Sequence, residues 1–216
     1  TRCWIVSWAR DVYKRQILSR PEQLNSMSRK FWVELPEILE EVNRNSEIRV
    51  LIISSTGKHF CAGMDLSAFD NGVANIPKEK RPDNARIGEA LYRSARELQE
   101  YISKLEKIRV PVIAAIHGGC IGGAVDLVTA CDIRLATTDA FFCIQEINIG
   151  MAADVGTLQR LPRIIPDSKM RELAYTGRRM LADEAKDSGL VSDVYNSQEE
   201  MVNAANDMAN ARANTT

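Results

Sequence analysis

The segment 110–126 limits the possible folds of this chain more than any other part of the sequence. It begins with an apolar run, 110–116, which is typical of a buried strand. Four glycines follow within 118–123, and residues 124–130 then have the composition of a buried helix. Glycines at a turn between a strand and a helix allow a ligand to approach the backbone closely. The pattern therefore predicts a strand, a tight turn and a helix, with a ligand site at the turn.

The start of this predicted helix indicates what kind of ligand the turn would hold. The N–H groups of the first helical turn have no partner inside the helix and carry partial positive charge. Such a place stabilises an anion, or an oxygen that becomes anionic during a reaction. Asp126, Glu146 and Asp154 lie within a span of 29 positions that begins in the helix. These acids could transfer protons beside the turn.

The rest of the chain predicts alternating strands and helices, which favours an α/β fold with parallel strand pairing. The 216 residues suit one domain with a sizeable core. A helix is expected from Ser28, and Pro36 is expected to kink or divide it. Residues 70–84 are polar and contain two prolines, so we expect a mobile surface loop. Further strands are predicted at 50–53, 132–136 and 141–145, and further helices at 87–108, 155–161, 167–175, 182–188 and 198–210.

The composition excludes several classes of function. The net charge is −1 and no run of Lys or Arg occurs, so neither nucleic acid nor a charged membrane surface is expected as a partner. No apolar stretch approaches the ~20 residues of a membrane-spanning helix. The five cysteines have no paired short spacing, which argues against a zinc site or a disulfide framework and fits a reducing compartment. The two histidines are too few for a histidine-based metal cluster.

Taken one by one, the polar positions also have simpler explanations. The motif 59–66 could be an ordinary turn, because Gly and Asp dominate turns for local reasons. Asp154 precedes a predicted helix and could be its N-cap. Glu146 could be the solvated end of a strand. Asp126 lies in an otherwise apolar helix, where a buried acid needs a partner or a role.

Taken together, the motifs resemble the enoyl-CoA hydratase/isomerase (crotonase) superfamily over about residues 17–210. The resemblance implies the crotonase fold, an α/β spiral of ββα units followed by C-terminal helices, which assembles into homotrimers and often hexamers. It also implies a coenzyme A thioester as substrate and no separate cofactor or metal. The motifs that carry it are, in chain order, residues 20–25, 60–66, 111–123, 130–134, 156–161, 182–185 and 189–191.

The same resemblance implies an oxyanion hole formed by the backbone N–H groups of Met64 and Gly123. A thioester carbonyl becomes an enolate when the adjacent carbon loses a proton, and each preorganised donor stabilises that charge by about 3–4 kcal/mol. Residues near 20–24 are expected to approach the nucleotide end of coenzyme A. The residues expected to line the thioester and pantetheine path are Gly63, Asp65, Leu66, Ser67 and Ala124.

The acids resemble those of the Δ3,5-Δ2,4-dienoyl-CoA isomerase branch of the superfamily. Hydratases of the family have Glu at the position of Asp126, a second Glu at that of Glu146 and usually Gly at that of Asp154. The chain departs from the isomerase branch at Ala124, where that branch has a third glycine. The resemblance implies isomerisation of 3,5-dienoyl-CoA to 2,4-dienoyl-CoA during β-oxidation of unsaturated fatty acids.

Such an isomerisation explains why two well-separated carboxyl groups would be needed. A proton must leave carbon 2 and another must arrive at carbon 6. We expect Asp154 to be the base and Glu146 the acid, with the reverse assignment also open, and Asp126 to orient or tune both. The alternatives are an enoyl-CoA hydratase using Glu146 and Asp126, and a non-catalytic acyl-CoA-binding protein on the same fold.

The resemblance also predicts how the chain is divided. Residues 1–16 are expected to be a non-native or atypical leader. Residues 17–216 are expected to form the crotonase-fold domain, with its C-terminal helical part incomplete. The sequence does not determine the cellular compartment. A mitochondrial or peroxisomal location is expected if the protein is eukaryotic, and a cytoplasmic location if it is bacterial.

Overall fold

A six-stranded sheet passes through the computed structural model, which describes residues 3–9, 13–65, 67 and 83–213. The strands are β1 (Trp4–Ala9), β2 (Tyr13–Leu18), β3 (Val50–Ser55), β4 (Val112–Ile116), β5 (Gly119–Ile121), β6 (Ile133–Thr137), β7 (Phe141–Cys143), β8 (Met180–Leu181) and β9 (Asp193–Tyr195). The helices are α1 (Arg29–Arg44), α2 (Asn84–Lys107), α3 (Gly123–Thr129), α4 (Thr157–Arg160), α5 (Asp167–Thr176), α6 (Ala182–Asp187) and α7 (Gln198–Ala213). Short 3₁₀ turns occur at Pro21–Gln23, Glu146–Ile149 and Leu161–Arg163.

The large sheet has the strand order β1-β2-β3-β4-β6-β9. All pairs in it are parallel except β1 with β2. A second sheet, β5-β7-β8, stands apart from it and contains the short strand that leads into α3. The predicted α/β class and the predominance of parallel pairing are therefore confirmed.

Apolar side chains cover both faces of the large sheet. On one face α1 buries Phe31, Leu35 and Val42 in the main core. On the other face α7 places Met201 and Ala205 in a smaller cluster with residues of the central strands. Every residue of β3 and β4 is buried, as expected for parallel strands covered on both sides. The carboxyl end of β4 is thereby fixed within the core just before the glycine turn.

The prediction that Pro36 divides the first helix is wrong. The helix α1 runs without a break from Arg29 to Arg44, with Pro36 inside it. Proline removes one helical hydrogen bond and disfavours the helix at the preceding residue. Here buried side chains anchor the helix on both sides of the proline, Phe31 and Leu35 before it and Leu39 and Val42 after it. Tertiary packing on both sides of the proline thus keeps the helix continuous.

The predicted boundary between residues 16 and 17 falls inside β2. Tyr13 pairs with Val50 and Leu18 with Ser55, so residues 13–16 take part in the large sheet. That residues 1–16 are a leader stays a prediction. The predicted loop at 70–84 lies almost wholly outside the described residues. In the part of the chain that the structure describes, no helix is long and apolar enough to cross a membrane.

Candidate active site

Two glycine turns meet beside β5. The backbone at Cys61 pairs with β5, since its N–H donates to Gly119 and its carbonyl accepts from Ile121, both at 3.1 Å. Each of the two paired segments then turns at a glycine with a positive φ angle, 87° at Gly63 and 55° at Gly122. A side chain at Gly63 would place its Cβ 2.6 Å from the carbonyl oxygen of Ile121, so only glycine fits there. The two motifs predicted from sequence therefore share one site.

The approach of these turns brings two backbone N–H groups together. The Cβ position of Gly63 lies 3.3 Å from the nitrogen of Gly123, and that of Gly123 lies 3.7 Å from the nitrogen of Met64. Among the described residues, neither N–H group has a hydrogen-bond acceptor. Gly123 is the first residue of α3, where a free N–H is expected. Two adjacent free donors of this kind can hold one oxygen atom of a ligand.

Asp126 is buried directly behind this pair of donors. Every residue of α3 is buried, and Asp126 is only 1% exposed. Its Oδ1 atom accepts hydrogen bonds from the backbone N–H of Thr157 at 2.6 Å and from the Thr157 hydroxyl at 2.8 Å. Burial, opposed by these bonds and assisted by the charge of Glu146, raises the pKa of Asp126 to about 7. The predicted need of this acid for a partner is confirmed.

Glu146 faces the same turn from the 3₁₀ segment that follows β7. Its Oε1 atom lies 3.3 Å from the Cβ position of Gly122, and its Oε2 atom is buried and has no hydrogen-bond partner within the described part of the chain. Burial raises the pKa of Glu146, and the charge of Asp154 adds to the effect. The interpretation of Glu146 as a solvated strand end is wrong. A buried carboxyl oxygen without a donor favours the protonated acid or a ligand group at this place.

Asp154 lies on the solvent side of Glu146 and is exposed. It does not cap the following helix, because the N-cap of α4 is Gly156 and the Asp126 carboxylate accepts the first helical N–H. The N-cap interpretation of Asp154 is therefore wrong. Its main-chain carbonyl accepts a hydrogen bond of 2.8 Å from the side chain of Gln99 on α2. The three predicted acids thus form a series from the buried interior to the surface, in which each influences the next.

The residues expected along the substrate path differ in exposure. Gly63 is buried in its turn, and Ala124 is fully buried within α3. Asp65 accepts hydrogen bonds from the hydroxyl and the N–H of Ser67, which hold the pKa of Asp65 below its usual value. Leu66 lies outside the described residues. Asp65 thus closes a local turn, and the contact of these residues with a substrate stays a prediction.

An open cleft of about 600 Å³ begins next to this turn. Arg20 donates to the carbonyl of Ser26 at 2.8 Å and approaches the Asp65 carboxylate at 3.4 Å. These contacts connect the cleft with the turn at Asp65. Three of the lining side chains are basic, so the cleft suits a ligand with negative charge. The lining residues are Arg20, Gln23, Ser26, Ser28, Arg29, Lys30, Asp65 and Ser67.

Comparison with known families decides where this fold and site belong. The family described as enoyl-CoA hydratase/isomerase matches residues 15–215. This chain is a member of the enoyl-CoA hydratase/isomerase family. The crotonase fold expected from the resemblance is thereby confirmed, and the alternation of helices and strands fits it.

Individual relatives of this family member are similar over most of the chain. The peroxisomal Delta(3,5)-Delta(2,4)-dienoyl-CoA isomerase of Arabidopsis thaliana is 45% identical over 89% of this chain and 69% of its own length. The mitochondrial protein of the same name from Rattus norvegicus is 48% identical over 87% of this chain. The chain spans 57% of that relative's length. The crystal structure of an enoyl-CoA hydratase from Bacillus anthracis, 32% identical, superposes with a TM-score of 0.84 over 98% of this chain and 76% of its own.

Two residues of this family member contribute to the site without having been predicted from sequence. Thr157 holds the Asp126 carboxylate; it lies in the family motif 156–161, but the sequence indicated no role for this residue. His59 accepts the N–H of Gly119 through its Nδ1 atom at 2.9 Å and so fixes the beginning of β5. Among the described residues, no group of three or more His, Cys, Asp or Glu side chains is arranged to hold a metal ion.

Proposed function

We propose that this protein isomerises 3,5-dienoyl-CoA to 2,4-dienoyl-CoA in the β-oxidation of unsaturated fatty acids. The observation that carries the proposal is the series of three acids beside two free N–H donors. A water-adding enzyme needs only two of these acids, whereas a proton transfer across a conjugated system uses a third. The relatives from Arabidopsis thaliana and Rattus norvegicus are named for the same reaction, which supports the proposal.

In the proposed mechanism the thioester oxygen accepts hydrogen bonds from the N–H groups of Met64 and Gly123. Asp154 takes a proton from carbon 2, and the electron pair of the broken C–H bond spreads over the dienolate. Glu146 donates a proton to carbon 6, which moves the double bonds from positions 3 and 5 to positions 2 and 4. The raised pKa of Glu146 suits a proton donor. Asp126 tunes Glu146 through its charge.

The reaction moves protons without a net change in oxidation state, so the proposal includes neither a redox cofactor nor a metal. The nucleotide end of coenzyme A would occupy the basic cleft beside Arg20, Arg29 and Lys30. The phosphates would be attracted by the positive charges there. Homotrimers or hexamers are part of the proposal, and sedimentation velocity would measure the assembly.

Hydration of a 2-enoyl-CoA is the second candidate. The charge of Glu146 helps to raise the pKa of Asp126, and these two acids are the pair that activation of water would require. The solved structure from Bacillus anthracis is named a hydratase. A hydratase of this kind would not depend on Asp154.

One experiment separates these functions. A 3,5-dienoyl-CoA and a 2-enoyl-CoA are offered to the same preparation, and the absorbance of the conjugated thioester is followed. Formation of the 2,4-dienoyl product with slow or no loss of the 2-enoyl substrate is expected. Rapid hydration without isomerisation would replace the proposal with the second candidate. Binding of both thioesters without turnover would identify a non-catalytic acyl-CoA-binding protein.

A further inference from the structure

Thr157 makes an unusual double contact with the buried acid Asp126. It donates both its backbone N–H, at 2.6 Å, and its hydroxyl, at 2.8 Å, to the same Oδ1 atom. Thr157 is 1% exposed, as is Asp126, so neither bond competes with solvent. The Oδ2 atom of Asp126 has no hydrogen bond among the described residues. Thr157 therefore fixes the orientation of the carboxyl group and determines which oxygen is left for other contacts.

The surroundings of Asp126 otherwise disfavour its charge. Burial is the largest influence, and Glu146 adds a negative charge from the segment after β7. On β5, the thiol of Cys120 is fully buried and close enough for Asp126 to raise its pKa. Arg160, on α4, is a cation that acts on Asp126 in the opposite direction, and it is paired with Glu106 at 2.9 Å. The donors on Thr157 are thus the main local support for the ionised form.

We propose that Thr157 is a positioning residue of this site, which orients Asp126 and stabilises its ionised form through the hydroxyl in addition to the backbone N–H. The inference deepens the proposed function, because it explains how a fully buried acid can carry charge next to Glu146. Variants at position 157 test the contribution of the hydroxyl alone, since the backbone N–H remains in every variant with a non-proline residue. Thr157→Val therefore removes one of the two bonds at nearly constant shape.

The test is a titration of Asp126 by NMR, with carbon-13 in the aspartate carboxyl groups and Asp126→Asn used to assign its signal. In Thr157→Val the titration midpoint should rise by about one pH unit, the size expected for one hydrogen bond to a charged group. Thr157→Ser keeps the hydroxyl and should restore the wild-type midpoint. Thr129→Val is the matched control, because the Thr129 hydroxyl bonds the main-chain carbonyl of Asp126 at 3.0 Å and not its carboxylate. Its midpoint should equal that of the wild type.

An unchanged midpoint in Thr157→Val would overturn the inference, as would a midpoint in Thr157→Ser that matches the valine variant. An equal rise in Thr129→Val would also overturn it, since the effect would then be a general response to a lost buried hydroxyl. If Thr157→Val fails to fold, the titration midpoint of Asp126 is measured in Thr157→Cys instead. Its thiol is a weaker donor, so a smaller rise is expected and no rise contradicts the inference.

The titration needs no turnover, so it is independent of the reaction. If the wild-type protein shows no isomerisation, the proposed function fails while the role of Thr157 is still measured. If the protein does isomerise, the acid limb of its pH–rate profile should move to higher pH in Thr157→Val and return in Thr157→Ser. A loss of thermal stability with an unmoved profile would assign Thr157 a purely structural role.

Discussion

The inner and outer parts of the candidate site are held in different ways. The inner part consists of the Gly63 and Met64 turn, Gly123, Asp126 and Thr157. It is buried or half-buried, and the Asp126 carboxylate in it is fixed by two short hydrogen bonds from Thr157. The outer part consists of residues 146–154. There Asp154 is exposed, and a buried oxygen of Glu146 has no hydrogen-bond partner in the described ranges.

The difference follows from the cost of burying polar atoms. In the inner part the Asp126 carboxylate is paired with Thr157, so the fold itself determines its geometry, while the two backbone N–H donors have no acceptor among the described residues. In the outer part solvent can satisfy Asp154, and the buried oxygen of Glu146 has no hydrogen-bond partner among the described residues, which leaves both acids available to a substrate. The inner part therefore suits binding of a fixed oxygen, and the outer part suits proton transfer. The predictions below test this division.

The largest effect is expected for the outer part. Asp154→Asn should lower isomerisation of a 3,5-dienoyl thioester by ~10²–10⁴-fold, because a positioned general base is lost. Stability should change little, since Asp154 is exposed and does not cap α4. Steady-state kinetics measure the loss of isomerisation, and thermal unfolding measures the change in stability. Hydration of a 2-enoyl thioester should be much less affected, whereas Glu146→Gln should damage both activities. Intact isomerisation in Asp154→Asn would remove this residue from the mechanism.

A slightly smaller effect is expected for the inner part. Gly123→Pro removes one N–H donor, and turnover should fall by ~10²–10³-fold. Proline is tolerated at the first position of a helix, which Gly123 occupies, so the fold should persist. Gly123→Ala is the matched control, because it adds the same Cβ near Met27 but keeps the N–H. Equal kinetic losses in the two variants would show that bulk, and not the missing donor, is responsible.

The buried acid should also make stability depend on pH. The pKa of Asp126 is about 7 in the folded protein and near 3.8 when unfolded, so the folded state retains the proton. Its favourable contribution is present below the unfolded pKa and is lost as the pH rises through about 7. The free energy of unfolding of Asp126→Asn relative to wild type should therefore grow with pH, by up to about 4 kcal/mol between pH 4 and 8.

Urea unfolding at several pH values measures this difference. Glu146 titrates in both proteins, so the difference reports Asp126 together with its charge interaction with Glu146. Thr129→Val serves as the control, and its difference from wild type should not depend on pH. A constant difference for Asp126→Asn as well would mean that Asp126 is ionised as easily in the folded protein as in the unfolded chain.

The smallest effect is expected where α2 supports the outer part. Gln99→Ala removes the 2.8 Å hydrogen bond to the main chain of Asp154. Because one such bond contributes about 0.5–1.5 kcal/mol, isomerisation should fall several-fold with little change in thermal stability. Arg93→Ala, on the same helix, is the control and should have no kinetic effect. Identical kinetics in the two variants would show that Gln99 does not position Asp154.

The sequence predicted some of these features and not others, for physical reasons. The strand before residue 118 and the glycine turn have local signals, namely an apolar run and glycines, and both are where they were expected. The partner of Asp126 had no such signal, because Thr157 is distant in the chain and its helix has only four residues. Pro36 was misleading since packing on both sides outweighs its local preference. Sequence reports local geometry well and long-range polar pairing poorly.

The close contact at Gly63 limits how the specificity of such a protein can be changed. A Cβ there would lie 2.6 Å from the backbone oxygen of Ile121, and backbone cannot move aside as a flexible side chain can. Mutagenesis libraries aimed at a different acyl group should therefore leave position 63 unvaried. Ile147, Ile149 and Met151 are exposed, so new side chains at these positions should leave the buried core in place. Diversification of acyl-chain preference is best directed to that outer segment.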